Sequence, residues 1–265
     1  MKITHNKFDV DRSESSGTKE WASHNLNICS GCSNACIYCY AAQMAERFKR
    51  RTRSDWSREE LTPNAALTRY PAKNGLVMFP STHDITPYNL EASIRVLKIV
   101  LASGNDVLIV TKPRLDIIKR LCEEFITRQE LIEFRFTIGT LSPRISKFWE
   151  PGAPLPVERI AALKHAHASG YSTSVSMEPL LGGFDTAQSV LAAVRDFVTG
   201  KIWIGKLNRI RSNVDVSTTR NMRMVQALES LQTDQKILQI HSAFRDDPKI
   251  RWKDSIRKVV TKHTA

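Results

Sequence analysis

The sequence predicts an α/β fold: a partial (β/α)6 TIM-type barrel with parallel strands, a short N-terminal arm and a C-terminal helix. Three observations predict it. Six short apolar runs recur along the chain, and each is followed by a segment with helical spacing. Strand–helix alternation of this kind gives parallel pairing through right-handed crossovers, which curl the sheet. The length, 265 residues, suits one large α/β domain or a barrel with a short tail. Finally, Pro and Gly sit where the helices should begin and end.

The elements follow in order. Residues 1–24 are polar and without periodicity, so they read as a mobile arm or an irregular cap. Residues 25–28 form a short strand and 40–50 a helix. The run GLVMF at 75–79 is a buried strand. Leu90, Ile94, Leu97 and Leu101 give residues 89–102 a helical stripe, which Gly104 stops. VLIV at 107–110 is the next strand, 115–125 a helix, and 132–138 an alternating strand. A helix opens at Pro156 and stops at Gly170. Then come strand 171–177, helix 187–198, strand 201–204 (KIWI) and helix 218–231. Residues 236–240 read as one more short strand, and 249–262 as a basic terminal helix. The domains expected are an arm over 1–24, a barrel over 25–231 and a basic C-terminal extension over 232–265. In such barrels the chemistry sits at the C-terminal ends of the strands.

Composition narrows the function. With 42% hydrophobic and 25% charged residues the chain resembles ordinary globular proteins. No apolar stretch approaches the roughly 18 residues of a membrane helix, and the N-terminus lacks the apolar core of a signal peptide. A cytoplasmic protein with no membrane partner is expected. The net charge of +12 suits a polyanion such as DNA or RNA, or is simply a basic solvated surface. The basic segments are Lys49, Arg50, Arg51, Arg53 and Arg58, and the tail Lys249, Arg251, Lys253, Arg257, Lys258 and Lys262. Trp56 and Trp252 are interleaved among them as candidate base-stacking groups.

Four of the five cysteines lie between 29 and 39, in CSGCSNACIYCYA; such clustering in a reducing compartment points to metal or catalysis. The spacing Cys32-x3-Cys36-x2-Cys39 lets three thiolates wrap one face of a [4Fe–4S] cluster and leaves the fourth iron open. The alternative is a structural zinc on all four cysteines, as Cys29-x2-Cys32 and Cys36-x2-Cys39, although the three-residue gap between the pairs is shorter than in zinc ribbons. Cys29 then reads as a spare thiol packed beside the loop.

The cysteine motif resembles that of the radical SAM superfamily, and Tyr38, the aromatic residue before the last cysteine, is usual there. The resemblance extends further. STHDITPYNLE (81–91), VTKPRLDIIKRL (110–121) and the EPGAP segment at 150–154 with its following helix look like the branch containing spore photoproduct lyase and the DNA repair photolyase relatives. It covers roughly residues 25–185. It implies a [4Fe–4S] cluster whose open iron is chelated by S-adenosylmethionine, and one electron from a reductant such as flavodoxin. It also implies a 5′-deoxyadenosyl radical that takes hydrogen from a substrate, with DNA or RNA expected. Modification of a peptide or a small molecule is the alternative, as is a zinc nucleic-acid binder without chemistry.

Residue roles follow from the resemblance and the strand ends. Lys112 meets the S-adenosylmethionine carboxylate. Tyr38, Thr82, Asp84, Lys112 and Glu178 are cofactor-binding candidates, and Lys112, His83 and Glu178 catalytic ones. Thr82 and Asp84 read equally as loop caps, and His83 as a structural histidine. Lys206 and Asn208, with Arg209 and Arg211 beside them, are candidate substrate contacts. Gly182 and Gly183 either let a ligand approach or form a turn. Glu150 and Arg159 read as a structural pair. One departure matters: the branch's hydrogen-returning cysteine has no counterpart, since Ser81, Thr82 and His83 occupy its place, and this points to another substrate. Whether S-adenosylmethionine is regenerated, and the oligomeric state, are left open by the sequence.

Overall fold

The computed structural model describes residues 7–9 and 15–264. Of the arm expected over 1–24, residues 1–6 and 10–14 lie outside the described residues. The strands are β1 (His24–Asn25), β2 (Cys29–Ser30), β3 (Glu60–Leu61), β4 (Val77–Phe79), β5 (Val107–Thr111), β6 (Ile132–Thr137), β7 (Ser172–Met177), β8 (Ile202–Ile204) and β9 (Ile250–Trp252). Seven of them form one parallel sheet in the order β1-β4-β5-β6-β7-β8-β9, which curls into a half-barrel. β2 and β3 make a separate antiparallel pair. The helices are α1 (Tyr40–Arg47), α2 (Leu90–Ala102), α3 (Leu115–Glu124), α4 (Pro143–Trp149), α5 (Pro156–Ala168), α6 (Phe184–Val194), α7 (Ile210–Asn213), α8 (Thr219–Leu231), α9 (Asp234–Phe244) and α10 (Asp254–Thr264).

Strand alternation separates two faces. Val77, Phe79, Val107, Ile109, Phe134, Phe136, Val175, Met177, Ile202 and Ile204 join the main core with the helices. The intervening residues face the hollow of the half-barrel. There Met78, Leu108 and Trp203 meet Phe8, Trp21, Ala22 and Leu76. Strands β6 and β7 carry buried polar residues into that hollow. Arg135, fully buried, donates to Glu133 (2.8 Å) and Ser174 (2.9 Å) and stacks on Trp21 and Trp203, 5.1 and 5.3 Å from the ring centroids. A buried charge needs such pairing.

The described part of the N-terminal arm is a cap. Buried Glu20 binds Lys253 and Arg257, each at 2.9 Å, so the segment entering the first strand of the sheet is tied to the last. Two expectations need correction. Residues 236–240 are helical, inside α9: Thr233 caps that helix by accepting from Lys236 N, and Ile237 and Ile240, one helical turn apart, are both fully buried. The seventh strand is instead 250–252, at the start of the expected terminal helix, where Ile250 enters the core. The sheet therefore continues into the segment expected as an extension. No described helix is long and apolar enough to cross a membrane.

Candidate cluster and cofactor site

The cysteine loop is held by main-chain and side-chain contacts along most of its length. Gly31 is left-handed (φ 92°), and a Cβ there would stand 2.2 Å from Arg58 O, so only glycine fits. Cys32 N donates to Trp56 O at 2.8 Å. Ser33 N donates to Glu59 at 2.7 Å, whose other oxygen accepts from Thr86 at 2.5 Å. Gly152 N donates to Asn34 O, and Ile37 N to Trp149 O, both at 3.0 Å. Arg51 donates to Ser30 O (2.9 Å) and Arg53 to Ile37 O (2.6 Å). Part of the basic segment is thus a clamp on the loop. Trp56 is buried against Ala41, Ala42 and Ala45, so it is not available to stack bases, while Trp252 is half-buried beside His241 (4.9 Å). Cys39 caps α1, its Sγ accepting from Ala42 N.

Cys32, Cys36 and Cys39 line one cavity of about 510 Å³ at the C-terminal ends of the strands. Cys29 does not line it. It is buried on β2, with its thiol on Ser30 O at 3.7 Å. Among the described residues no group of three or more His, Cys, Asp or Glu side chains is arranged to hold a single metal ion. A tetrahedral zinc site needs its ligands around one ion, whereas a cubane gives each thiolate its own iron. Burial pushes the Cys36 thiol up to about 12 and Cys32 well above the usual thiol range. Three thiols so placed fit a cluster, whose iron supplies the positive charge that makes thiolate stable in a buried position.

Lys112, Tyr38, Thr82, His83, Asp84 and Glu178 all line the same cavity. Lys112 Nζ lies 3.8 Å from Asp84 Oδ2 and 5.9 Å from the Tyr38 ring centroid. Burial works to lower its pKa, but Cys36, Asp84 and Glu150 outweigh it and hold the group above its ordinary value. Asp84 accepts from Thr111 Oγ1 (2.7 Å), Lys112 N (2.6 Å) and Asn34 Nδ2 (2.8 Å). Burial works to raise its pKa; Lys112 and these bonds hold it below the usual range. His83 is buried with both ring nitrogens committed: Nδ1 to Asp84 O (3.0 Å) and Nε2 accepting from Ile28 N (3.1 Å). Both bonds run to main chain.

Tyr38 donates its hydroxyl to Glu150, which also pairs with Arg159 at 2.5 Å in a fully buried bridge. The Glu150–Arg159 pairing was expected; its coupling to the cysteine loop through Tyr38 was not. Thr82 N donates to Asn27 Oδ1 at 2.9 Å. Glu178 Oε2 is 3.1 Å from buried Lys253; burial raises the Glu178 pKa, and Lys253 opposes the rise. Gly182 and Gly183 form the turn into α6, packed on Thr186 and Leu231. Lys206, Asn208 and Arg209 line the cavity on the side formed by the sixth expected strand's end. Sequence reasoning missed Asn34, Glu59 and Gly152. A Cβ on Gly152 would stand 2.0 Å from Ser33 O, and only the EPGAP motif hinted at so close an approach.

A family model for the radical SAM superfamily matches residues 26–197. "Uncharacterized protein ORF301" of Acidianus two-tailed virus is 28% identical over 172 residues, 60% of this chain and 56% of that protein, so the chain spans little more than half of that relative's length. Among solved structures, a spore photoproduct lyase mutant with bound AdoMet and dinucleoside spore photoproduct superposes with a TM-score of 0.57 at 14% identity, covering 92% of this chain and 80% of that one. SuiB of Streptococcus suis bound to the precursor peptide SuiA gives 0.50 at 9% identity, covering 71% and 40%. At such identities these structures speak for the fold. The family match spans more than half the chain and includes the cysteine loop and the ends of β4 to β7 around the cavity: the chain belongs to the radical SAM superfamily, whose enzymes use a [4Fe–4S] cluster and S-adenosylmethionine.

Proposed function

We propose that Cys32, Cys36 and Cys39 hold the cluster, that S-adenosylmethionine occupies the cavity beside Lys112, and that hydrogen is abstracted from a nucleic-acid substrate. One observation carries the reading: three of the four clustered cysteines line a single cavity with Lys112, and the fourth does not. When bound, the cluster and S-adenosylmethionine supply the one-electron cleavage that gives methionine and a 5′-deoxyadenosyl radical. The electron comes from a flavodoxin-type donor on this reading.

The chain's own residues bind, orient and exclude water. Lys112 neutralises the cofactor's carboxylate. Asp84 is a positioning residue, holding Lys112 on one side and the cysteine loop, through Asn34, on the other. His83 fixes the end of the strand segment before the loop. Tyr38, anchored on Glu150, forms an aromatic wall, and Thr82 and Glu178 offer polar groups to the ribose or the amino group. The net charge of +12 and the lesion-bound relative favour a nucleic acid. Among the described residues only the three cluster cysteines line the cavity, and Cys122 is buried in α3. No further cysteine among the described residues is placed there for hydrogen return, which favours a substrate other than the spore lesion.

The test is anaerobic reconstitution with iron and sulfide, then dithionite and S-adenosylmethionine, reading 5′-deoxyadenosine by chromatography. Product from the wild type and none from Cys36→Ala is expected. No product from a fully loaded wild type would refute the reading.

A further inference from the structure

The cations near the cavity divide into two kinds. Most are spent: Lys112 on Asp84, Arg51 on Glu60, Lys253 on Glu20 and Glu178. Lys206 and Arg209 are not. Among the described residues neither side chain has an ion pair or hydrogen bond. Asp234 feels the charge of Lys206 but is itself bonded to Lys262 (2.8 Å) and His263 (3.2 Å). The main chain that carries them is pinned: Lys206 N donates to Ser255 (3.1 Å), and Leu207 N to Gln232 (3.1 Å), which is anchored on Leu180 O (2.6 Å). Asn213 ties down Asn208 O at 3.2 Å. Arg209 itself holds a left-handed backbone (φ 50°), a conformation costly for arginine. A fixed loop presenting two free cations is preorganised for an anion.

Their position says which anion. Lys206, Leu207 and Arg209 line both the radical cavity and an adjoining groove of about 510 Å³. Farther along that groove Arg211 is held bidentate by Glu229 at 2.8 and 2.6 Å. Tyr40 and Met44, both exposed on α1, also line the cavity and offer a flat aromatic and apolar surface. Aromatic surface and free cation around one cavity match the two halves of a nucleotide, base and phosphate.

We propose that Lys206 and Arg209 form a phosphate subsite at the boundary of cavity and groove, so that the substrate carries a phosphate ester beside its reacting carbon. The groove takes the next unit of a phosphodiester chain. This rests on the reading of the cavity as the substrate site. The reconstituted chain is titrated into a short fluorescein-labelled oligothymidylate and anisotropy is read, with thymidine, thymidine monophosphate and the dinucleotide dTpdT as competitors. Anisotropy reports binding whether or not S-adenosylmethionine is cleaved, so a failed radical reading leaves this test intact.

The expected competition order is dTpdT, then the monophosphate, with thymidine weakest; equal competition by dTpdT and the monophosphate would assign the subsite to free nucleotides and refute the groove. The double substitution Lys206→Gln, Arg209→Gln should weaken oligonucleotide binding about tenfold or more. It should also lower the salt slope by about 1.4, from two single-strand contacts at about 0.7 each. Lys119→Gln, exposed on α3, should change neither. Equal effects of Lys119→Gln and the double variant, or competition by thymidine equal to that by dTpdT, would overturn the proposal.

Discussion

The two sides of the cavity are built differently. On the cysteine side, loop 29–39 is fixed by groups from Trp56, Glu59, Asp84, Trp149 and Gly152, and the charges at its centre, Asp84, Lys112, Glu150 and Arg159, are bonded to one another or to main chain. On the side of residues 206–209 the backbone is pinned but the charges are free. The first arrangement suits a resident cofactor of fixed shape, held by ligands whose supporting contacts are as specific as the ligands. The second suits a ligand that arrives and leaves.

Substitutions should break the first side and spare the second. The largest effect falls on the ligands: Cys36→Ala should abolish iron loading and S-adenosylmethionine cleavage, read by iron analysis and product. Next is Glu150→Ala, which strands Arg159 and Tyr38 in a buried site. It should destabilise by about 3–5 kcal/mol, measured by denaturant unfolding. Gly152→Ala forces the cysteine loop and the EPGAP segment apart; a cost of about 1–3 kcal/mol is expected, together with lower cluster occupancy. By contrast, Arg209→Gln should stay within about 0.5 kcal/mol of wild type, and a larger loss would erase the distinction between the sides.

The smallest effect is a pH dependence at the surface. Hydrogen bonds from Lys262 and His263 hold Asp234 down at about 2, from an ordinary 3.8. A carboxyl depressed in the folded state stabilises above its unfolded pKa, and the contribution fades as pH falls from about 4 towards 2. Asp234→Asn should flatten that acid limb by a few tenths of a kcal/mol, as for exposed ion pairs.

The sheet was legible where strands were long enough to show alternation or unbroken apolar runs, as at 75–79, 107–110 and 132–138. It was hidden at β9, where three residues in a basic stretch carry one core position, Ile250. At 236–240, apolar residues in a short window fit either period, and only the Thr233 cap decides for helix. That Cys32, Cys36, Cys39 and Lys112 would share one cavity was legible from their spacing and strand-end position. Asn34, Glu59 and Gly152 were not, because each acts through a partner distant in sequence. The cap function of Glu20 was hidden for the same reason: its partners, Lys253 and Arg257, lie at the other end of the chain.

The account stands on three cysteines, not four, around an open iron. The direct measurement is metal and sulfide content of the reconstituted chain, with electron paramagnetic resonance of the reduced protein before and after S-adenosylmethionine, for wild type and Cys29→Ala. The account predicts about four iron and four sulfide per chain, a spectrum that changes on adding S-adenosylmethionine, and the same behaviour from Cys29→Ala. One tightly held zinc per chain that is lost in Cys29→Ala, with no spectral response to S-adenosylmethionine, would contradict it.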